Sequence, residues 1–236
     1  MQAKILAIDY ETGGLDARIC PPLSMAVVAA DAQFNELDGF ALRIRPPHNT
    51  VLAVPVLRDQ RNDPELFNPQ IDYYLDLRTN ERYAVHPPDF CIIQAPAARI
   101  NGFVRIENDI WDIDAAREWC ANSRPVEETE RTLRLWTRQY FACAPTPAAH
   151  NAQFDLKYCK TWMPGLHGDM LPDWVCTMLW YAKVLGKRKG TKLSDVCVAA
   201  GYQQKNAHEA LDDTRGCLAA LRWLSLNHPG LLQAVK

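Results

Sequence analysis

Lys4-Ile5-Leu6-Ala7-Ile8-Asp9-Tyr10-Glu11-Thr12-Gly13-Gly14-Leu15 reads as a short apolar strand running into a glycine turn. Residues 4–9 place apolar side chains on both faces, the pattern of a strand covered on both sides and central in its sheet. Asp9 and Glu11 are two positions apart, so an extended backbone projects both carboxylates from one face at the strand's C-terminal edge. Open α/β sheets commonly bind ligands at that edge. Taken alone, the pair has a plainer reading as an acidic cap on the Gly13-Gly14 turn.

Two later segments carry matching chemistry. His150-Asn151-Ala152-Gln153-Phe154-Asp155 opens a helix expected over 151–163, whose apolar stripe of Phe154, Tyr158, Cys159 and Trp162 turns Asp155 inward. A buried carboxylate needs a partner, either a cation or a backbone amide. In His208-Glu209-Ala210-Leu211-Asp212-Asp213, a helical step of 100° per residue puts Cys217, Leu221 and Leu224 within about 40° of Ala210. Asp213 falls about 60° from the centre of that stripe and Asp212 on the opposite face. The periodicity selects Asp213 as the inward acid and leaves Asp212 solvated. His208 stands at the helix start, where a lone histidine is usually a surface or capping residue.

Four carboxylates gathered at one point repel each other unless cations lie between them. A hard oxygen cage suits magnesium or manganese. Two such ions about 3.5–4 Å apart can clamp the attacking and leaving oxygens of a phosphoryl displacement. Each segment has a bland reading singly; the three in series point to phosphodiester hydrolysis.

The rest of the chain bounds this expectation. At 236 residues, with 48% hydrophobic and 23% charged residues, it can bury a real core as one domain carrying an insertion. A net charge of −2 excludes strong whole-molecule steering toward nucleic acid but leaves room for a local basic patch. No apolar run reaches the ~20 residues of a membrane span, and the N-terminus lacks a signal segment. The eight cysteines form no C-x-x-C pair and read as reduced core thiols, the expectation for a cytoplasmic protein without a disulfide framework or zinc site.

Strands are expected over 4–9, 25–30 and 40–44 as a meander. A proline-punctuated stretch over 46–96 reads as an insertion with a β-hairpin, 71–77 against 82–85. Its Tyr73, Tyr74 and Tyr83 with Arg78 and Arg82 read as cross-strand packing before base stacking. Helices are expected over 112–122, 126–143, 151–163, 173–185, 193–201 and 207–227, with a strand over 146–150. The order predicts an α/β fold, a mixed sheet flanked by helices. Lys183, Lys187, Arg188, Lys189 and Lys192 form an acid-free basic run, either a solvated loop or a phosphate-contacting arm.

These three motifs resemble those of the DnaQ-like 3′–5′ exonucleases with the DEDDh signature, a family with a ribonuclease H-like fold. Its first motif reads D-x-E-T/A-x-G, as Asp9 to Gly14 does; its second H-N-x-x-F-D, as His150 to Asp155 does; its third H-x-A-x-x-D, as His208 to Asp213 does. A sister branch has tyrosine four residues before the last Asp, where this chain has Glu209, so the histidine branch is indicated. Arg99-Ile100-Asn101-Gly102-Phe103 is similar to an Asn-Gly segment of the family. The resemblance covers 1–45 and 97–225, while 46–96 departs from it.

The resemblance implies a single exonuclease domain over 1–236. It implies that Asp9, Glu11, Asp155 and Asp213 hold two Mg²⁺ or Mn²⁺ ions and that His208 is the general base. It implies that Thr12, Gly13, Gly14 and Leu15 line the 3′-terminal nucleotide pocket and that Asn151 touches the strand. The expected substrate is a single-stranded 3′ end, DNA before RNA, releasing nucleoside 5′-monophosphates. An RNase T-like RNA-trimming enzyme and a polymerase-associated accessory module are the alternatives, and a polymerase or homodimer partner is left open.

Overall fold

A computed structural model describes residues 2–55, 71–107, 110–112, 114–188, 190–206, 208–231 and 234–235. Its strands are β1 (Ile5–Thr12), β2 (Pro22–Ala30), β3 (Glu36–Arg45), β4 (Thr50–Pro55), β5 (Ile71–Asp76), β6 (Arg82–Tyr83), β7 (Cys91–Gln94), β8 (Arg105–Glu107), β9 (Ile110–Asp112), β10 (Arg124–Pro125), β11 (Thr146–Ala149), β12 (Trp174–Cys176) and β13 (Ala234–Val235). The helices are α1 (Ala95–Ile100), α2 (Asp114–Ala121), α3 (Val126–Tyr140), α4 (Ala152–Trp162), α5 (Pro164–Gly168), α6 (Thr177–Val184), α7 (Leu193–Ala200) and α8 (Ala210–Asn227).

A seven-stranded mixed sheet runs β10-β3-β2-β1-β11-β12-β13, with β1 at its centre as its two-faced apolar pattern requires. β1 and β11 are parallel with Ile5 opposite Thr146 and Ala7 opposite Ala148, and β11 and β12 are also parallel. β13 closes one edge antiparallel to β12. The expected meander appears as the neighbours β3-β2-β1.

Contacts divide the chain into two units, 1–10 with 25–42 and 127–236, and 11–24 with 43–126. In the first, small sheet residues (Ala7, Ala30, Ala148) meet Trp180, Val196, Cys217, Leu221 and Leu224 from α6, α7 and α8. Gly216 permits the close approach of α7 and α8, since a Cβ there would lie 2.9 Å from Cys197 Sγ. In the second, a four-stranded sheet β6-β5-β4-β7 shares a core of Leu52, Leu75, Ile93, Phe103 and Trp119 with α1 and α2.

The hairpin of 71–83 is present, with Asp76 accepting the amides of Arg78 and Thr79 at 2.7 and 3.0 Å and Asn80 in the left-handed region. Its aromatic and basic residues pack on the hairpin itself: Tyr74 is in register with Tyr83, and the Arg82 guanidinium lies 4.5 Å over the Tyr73 ring. Part of the inserted stretch, 56–70, lies outside the described residues, as does Lys189 of the basic run. All eight cysteines are free.

One helix expectation is corrected. Residues 174–176 form β12, and the helix begins only at Thr177. Trp174, Val175 and Cys176 are one continuous apolar run leading into a helix, which periodicity cannot divide. β4 and β7 lie in the stretch read as an insertion beside its hairpin, and α1 begins at its C-terminal end. Pro96, in the first turn of α1, is compatible with a helix start because its missing N–H needs no partner there.

Candidate active site

The parallel pairing fixes where the acids stand. The β1–β11 register carries Ile8 to the level of Ala149, where β11 ends, so Asp9 and Glu11 lie past the end of the partner strand. Both are half-buried, while Tyr10 and Thr12 between and after them are buried, the alternation expected of a strand. After β11 the chain turns through His150 and Asn151 into α4.

His150 makes that turn rigid. Its Nδ1 lies 3.0 Å from the Thr177 hydroxyl and its Nε2 2.9 Å from the Thr191 carbonyl. A carbonyl can only accept, so Nε2 carries the proton and Nδ1 accepts from Thr177. Burial pushes the His150 pKa down, in keeping with a neutral ring. This histidine therefore anchors β11 to the segments after it. Asn151 caps α4 without a side-chain bond to the helix and is exposed.

Asp155 is in the first turn of α4, 3% exposed, and accepts the Tyr10 amide at 3.1 Å. That bond ties α4 directly to the residue between Asp9 and Glu11. Asp9 and Asp155 both act on the buried Cys217 thiol of α8, whose pKa is raised chiefly by burial and further by these two carboxylates. Strand β1, α4 and α8 thus converge on the same acids.

Asp213 is half-buried in the first turn of α8 and accepts from Gln204 Nε2 at 2.6 Å. Burial raises its pKa, opposed by the His208 charge and by the bonds from Gln204 and the His208 amide. His208 is exposed and its φ is 66°, a left-handed conformation uncommon for a residue with a Cβ. Within the first unit, His208 and Asp213 each offer one ligand atom within 4.8 Å of the other, while Glu11 belongs to the second unit. Carboxylate oxygens and an imidazole nitrogen at that spacing suit a hard divalent cation.

Asp212 is not solvated as its helical position suggested. Its Oδ1 accepts the Tyr202 hydroxyl at 2.7 Å, and its Oδ2 accepts the amides of Lys205 and Asn206 at 2.7 and 2.9 Å. Burial alone would raise its pKa, but these donors bring it below the usual carboxylate value. The loop before α8 folds back over the outer face of the helix, and Asp212 pins it two residues ahead of His208. Asp212→Ala is therefore expected to cost about 1–3 kcal/mol in urea unfolding. It should also lower turnover, by less than loss of His208 itself. Unchanged stability would show that the three bonds contribute nothing.

Asp155 gives a second expectation. In the metal-free protein burial pushes its carboxyl up to about 7, against the Tyr10 amide and its own N–H, which favour the charged form. The folded carboxyl then holds its proton more tightly than the unfolded one. Its contribution to stability is full below about pH 4, is lost as pH rises toward 7, and is level above. In EDTA, wild type should lose roughly 2 kcal/mol more than Asp155→Asn between pH 5 and 8, and Mg²⁺ or Mn²⁺ should restore the loss. Parallel pH profiles for the two proteins would contradict this.

Thr12 to Leu15 begin the second unit's turn. The Thr12 hydroxyl donates to the Gly14 carbonyl at 2.7 Å, and the Thr12 carbonyl accepts Asn101 Nδ2 at 3.1 Å. Gly13 donates to the Pro21 carbonyl and accepts the Gln94 amide. A Cβ at Gly13 would lie 3.1 Å from Ile93, and one at Gly14 2.6 Å from Cys20 Sγ. The glycine pair thus fits the turn against β7, a packing reason that the sequence pattern did not reveal. Leu15 is 53% exposed, available to an apolar partner. No helix among the described residues is long and apolar enough to cross a membrane.

No protein-family model and no curated protein matches the chain. Solved structures do. The zinc-ion-bound E. coli ExoI–ssDNA complex aligns with a TM-score of 0.60 at 15% identity, covering 98% of this chain and 42% of that one. E. coli exonuclease I in complex with a dT13 oligonucleotide gives 0.61, 15%, 98% and 42%. Exonuclease I from Methylocaldum szegediense, described as moderately thermophilic, gives 0.59, 17%, 96% and 41%. The chain therefore spans about two-fifths of the length of these proteins and shares with them a ribonuclease H-like fold, a mixed sheet flanked by helices.

Proposed function

We propose that this chain is a metal-dependent 3′–5′ exonuclease of the DEDDh type. It hydrolyses single-stranded nucleic acid from the 3′ end, DNA before RNA, and releases nucleoside 5′-monophosphates. The observation that carries the reading lies within the first unit: Asp155 is bonded to the Tyr10 amide beside Asp9, and Asp213 and His208 offer ligand atoms within 4.8 Å of each other. The similar structures include complexes with single-stranded DNA and a dT13 oligonucleotide, which favours DNA as the strand.

In this reading Asp9, Glu11, Asp155 and Asp213 hold two Mg²⁺ or Mn²⁺ ions. When bound, the ions supply positive charge to the attacking and leaving oxygens of a phosphoryl displacement. His208 takes the proton of the attacking water; its exposed ring at a loop end can reach a solvent molecule. The bond from Asp155 to Tyr10 and the grip of Asp212 on the loop keep the acids and the imidazole in register. Leu15 packs on the terminal base, the turn of Thr12, Gly13 and Gly14 encloses the terminal sugar, and Asn151 contacts the strand.

The test uses DNA and RNA oligomers labelled at either end, with Mg²⁺ or EDTA. A 3′ label is expected to leave first as a mononucleotide, faster from DNA, with no reaction in EDTA. First release of a 5′ label, or full activity in EDTA, would refute the proposal.

A further inference from the structure

Within the second unit, a cavity of about 340 Å³ opens where the end of β3, the start of β4, the turn after β5 and the last turn of α2 meet. Three guanidinium groups line it, Arg45, Arg78 and Arg117, with the exposed His48 at the edge and Pro47 and Leu77 among the apolar walls. No acid is among its described lining residues. The size is at the lower end of the roughly 300–1,000 Å³ typical of small-molecule sites.

The arginines are not equivalent. Arg117 is engaged, with Nη1 2.6 Å from Asp114 and Nη2 2.7 Å from Asn80 Oδ1. Among the described residues Arg45 is held by one bond, Nη2 to the Ser123 carbonyl at 2.7 Å, while its Nε is buried and has no partner there. A buried N–H left unbonded costs free energy that a bound acceptor would recover. Arg45 also bears on the thiol of Cys120, another lining residue: burial raises that pKa and the Arg45 charge lowers it. Arg78 is exposed and extends the positive rim.

We propose that this cavity binds the phosphate of a nucleotide, with Arg45 and Arg78 taking the phosphate oxygens and the Pro47–Leu77 side receiving the apolar faces of the sugar or base. A planar guanidinium matches phosphate geometry, and a compact concavity with one sign of charge concentrates an anion. The phosphate can come from a free mononucleotide or from a nucleotide within a strand. The inference stands apart from the metal-site reading, since it uses none of the residues placed there.

The full chain in EDTA is titrated calorimetrically with 5′-deoxyadenosine monophosphate, inorganic phosphate, deoxyadenosine and a short dT oligomer. Saturable binding of the mononucleotide, competed by inorganic phosphate and absent for deoxyadenosine, is expected. Arg45→Met and Arg78→Glu should each weaken it roughly 10-fold or more, the worth of a charge-assisted hydrogen bond. Ala121→Trp, which keeps every charge but fills the cavity, should do the same and guards against a folding defect in the arginine variants. Asp213→Asn should bind as wild type, which separates this site from the metal centre. Tighter binding of the oligomer than of the mononucleotide, with a steep salt dependence, would assign the phosphate to a strand; the reverse would assign it to a free nucleotide. No saturable binding of either, or affinity unchanged in Arg78→Glu and Ala121→Trp, overturns the proposal.

Discussion

Asp213→Asn is expected to lower hydrolysis of single-stranded DNA by roughly 10³-fold or more while leaving the fold intact. The loss is large because metal stabilisation of transition-state charge is worth several kcal/mol. Stability is spared for two reasons. Asparagine keeps an oxygen for Gln204 Nε2, now 2.6 Å from Oδ1, and it removes a carboxylate whose charged form burial disfavours. In EDTA the variant should therefore unfold at the same urea concentration as wild type, or higher, and Asp9→Asn should match it in activity loss. Calorimetric titration with Mn²⁺ should show weakened binding in both. An active Asp213→Asn protein with normal metal affinity would remove Asp213 from the site.

His208→Ala is expected to lower turnover by about 10²–10⁴-fold, the usual worth of a positioned general base. The side chain must be separated from the backbone, because His208 sits at φ 66° and alanine tolerates that conformation poorly. His208→Asn resolves the two, since asparagine adopts the left-handed region readily but cannot accept the proton. Both variants should be equally slow and should keep most of their affinity for Mn²⁺. Recovery of activity in His208→Asn would mean that the residue serves the backbone turn. A collapse of Mn²⁺ affinity in both would make the imidazole a ligand instead, consistent with the short distances in the cluster but not with a base.

Legibility of the molecule varied with the range of the interactions involved. β1 was readable because its burial on two faces leaves a local mark, and the spacing of Asp9 and Glu11 follows from strand geometry alone. Asp155 and Asp213 were readable because the stripe of a helix is periodic. Asp212 was misread by the same rule: periodicity tells which side of a helix faces the core, not whether a loop returns over the other side, as 202–206 do here. The parallel pairing of β4 with β7 joins segments about 40 residues apart and left no local signal. The Gly13-Gly14 pair was legible as a turn, but its close packing on Ile93 and Cys20 depends on those long-range partners. His150 read as a motif residue, and only its bonds to Thr177 and Thr191 show that it braces the turn into α4.

The central claim is that the chain acts only from a free 3′ end, and matched linear and covalently closed circular single-stranded DNA test it most directly. With Mn²⁺, the linear strand should be reduced to 5′-mononucleotides while the circle survives the same incubation intact. Cutting of the circle at a rate comparable to the linear strand would contradict the account and make this protein an endonuclease.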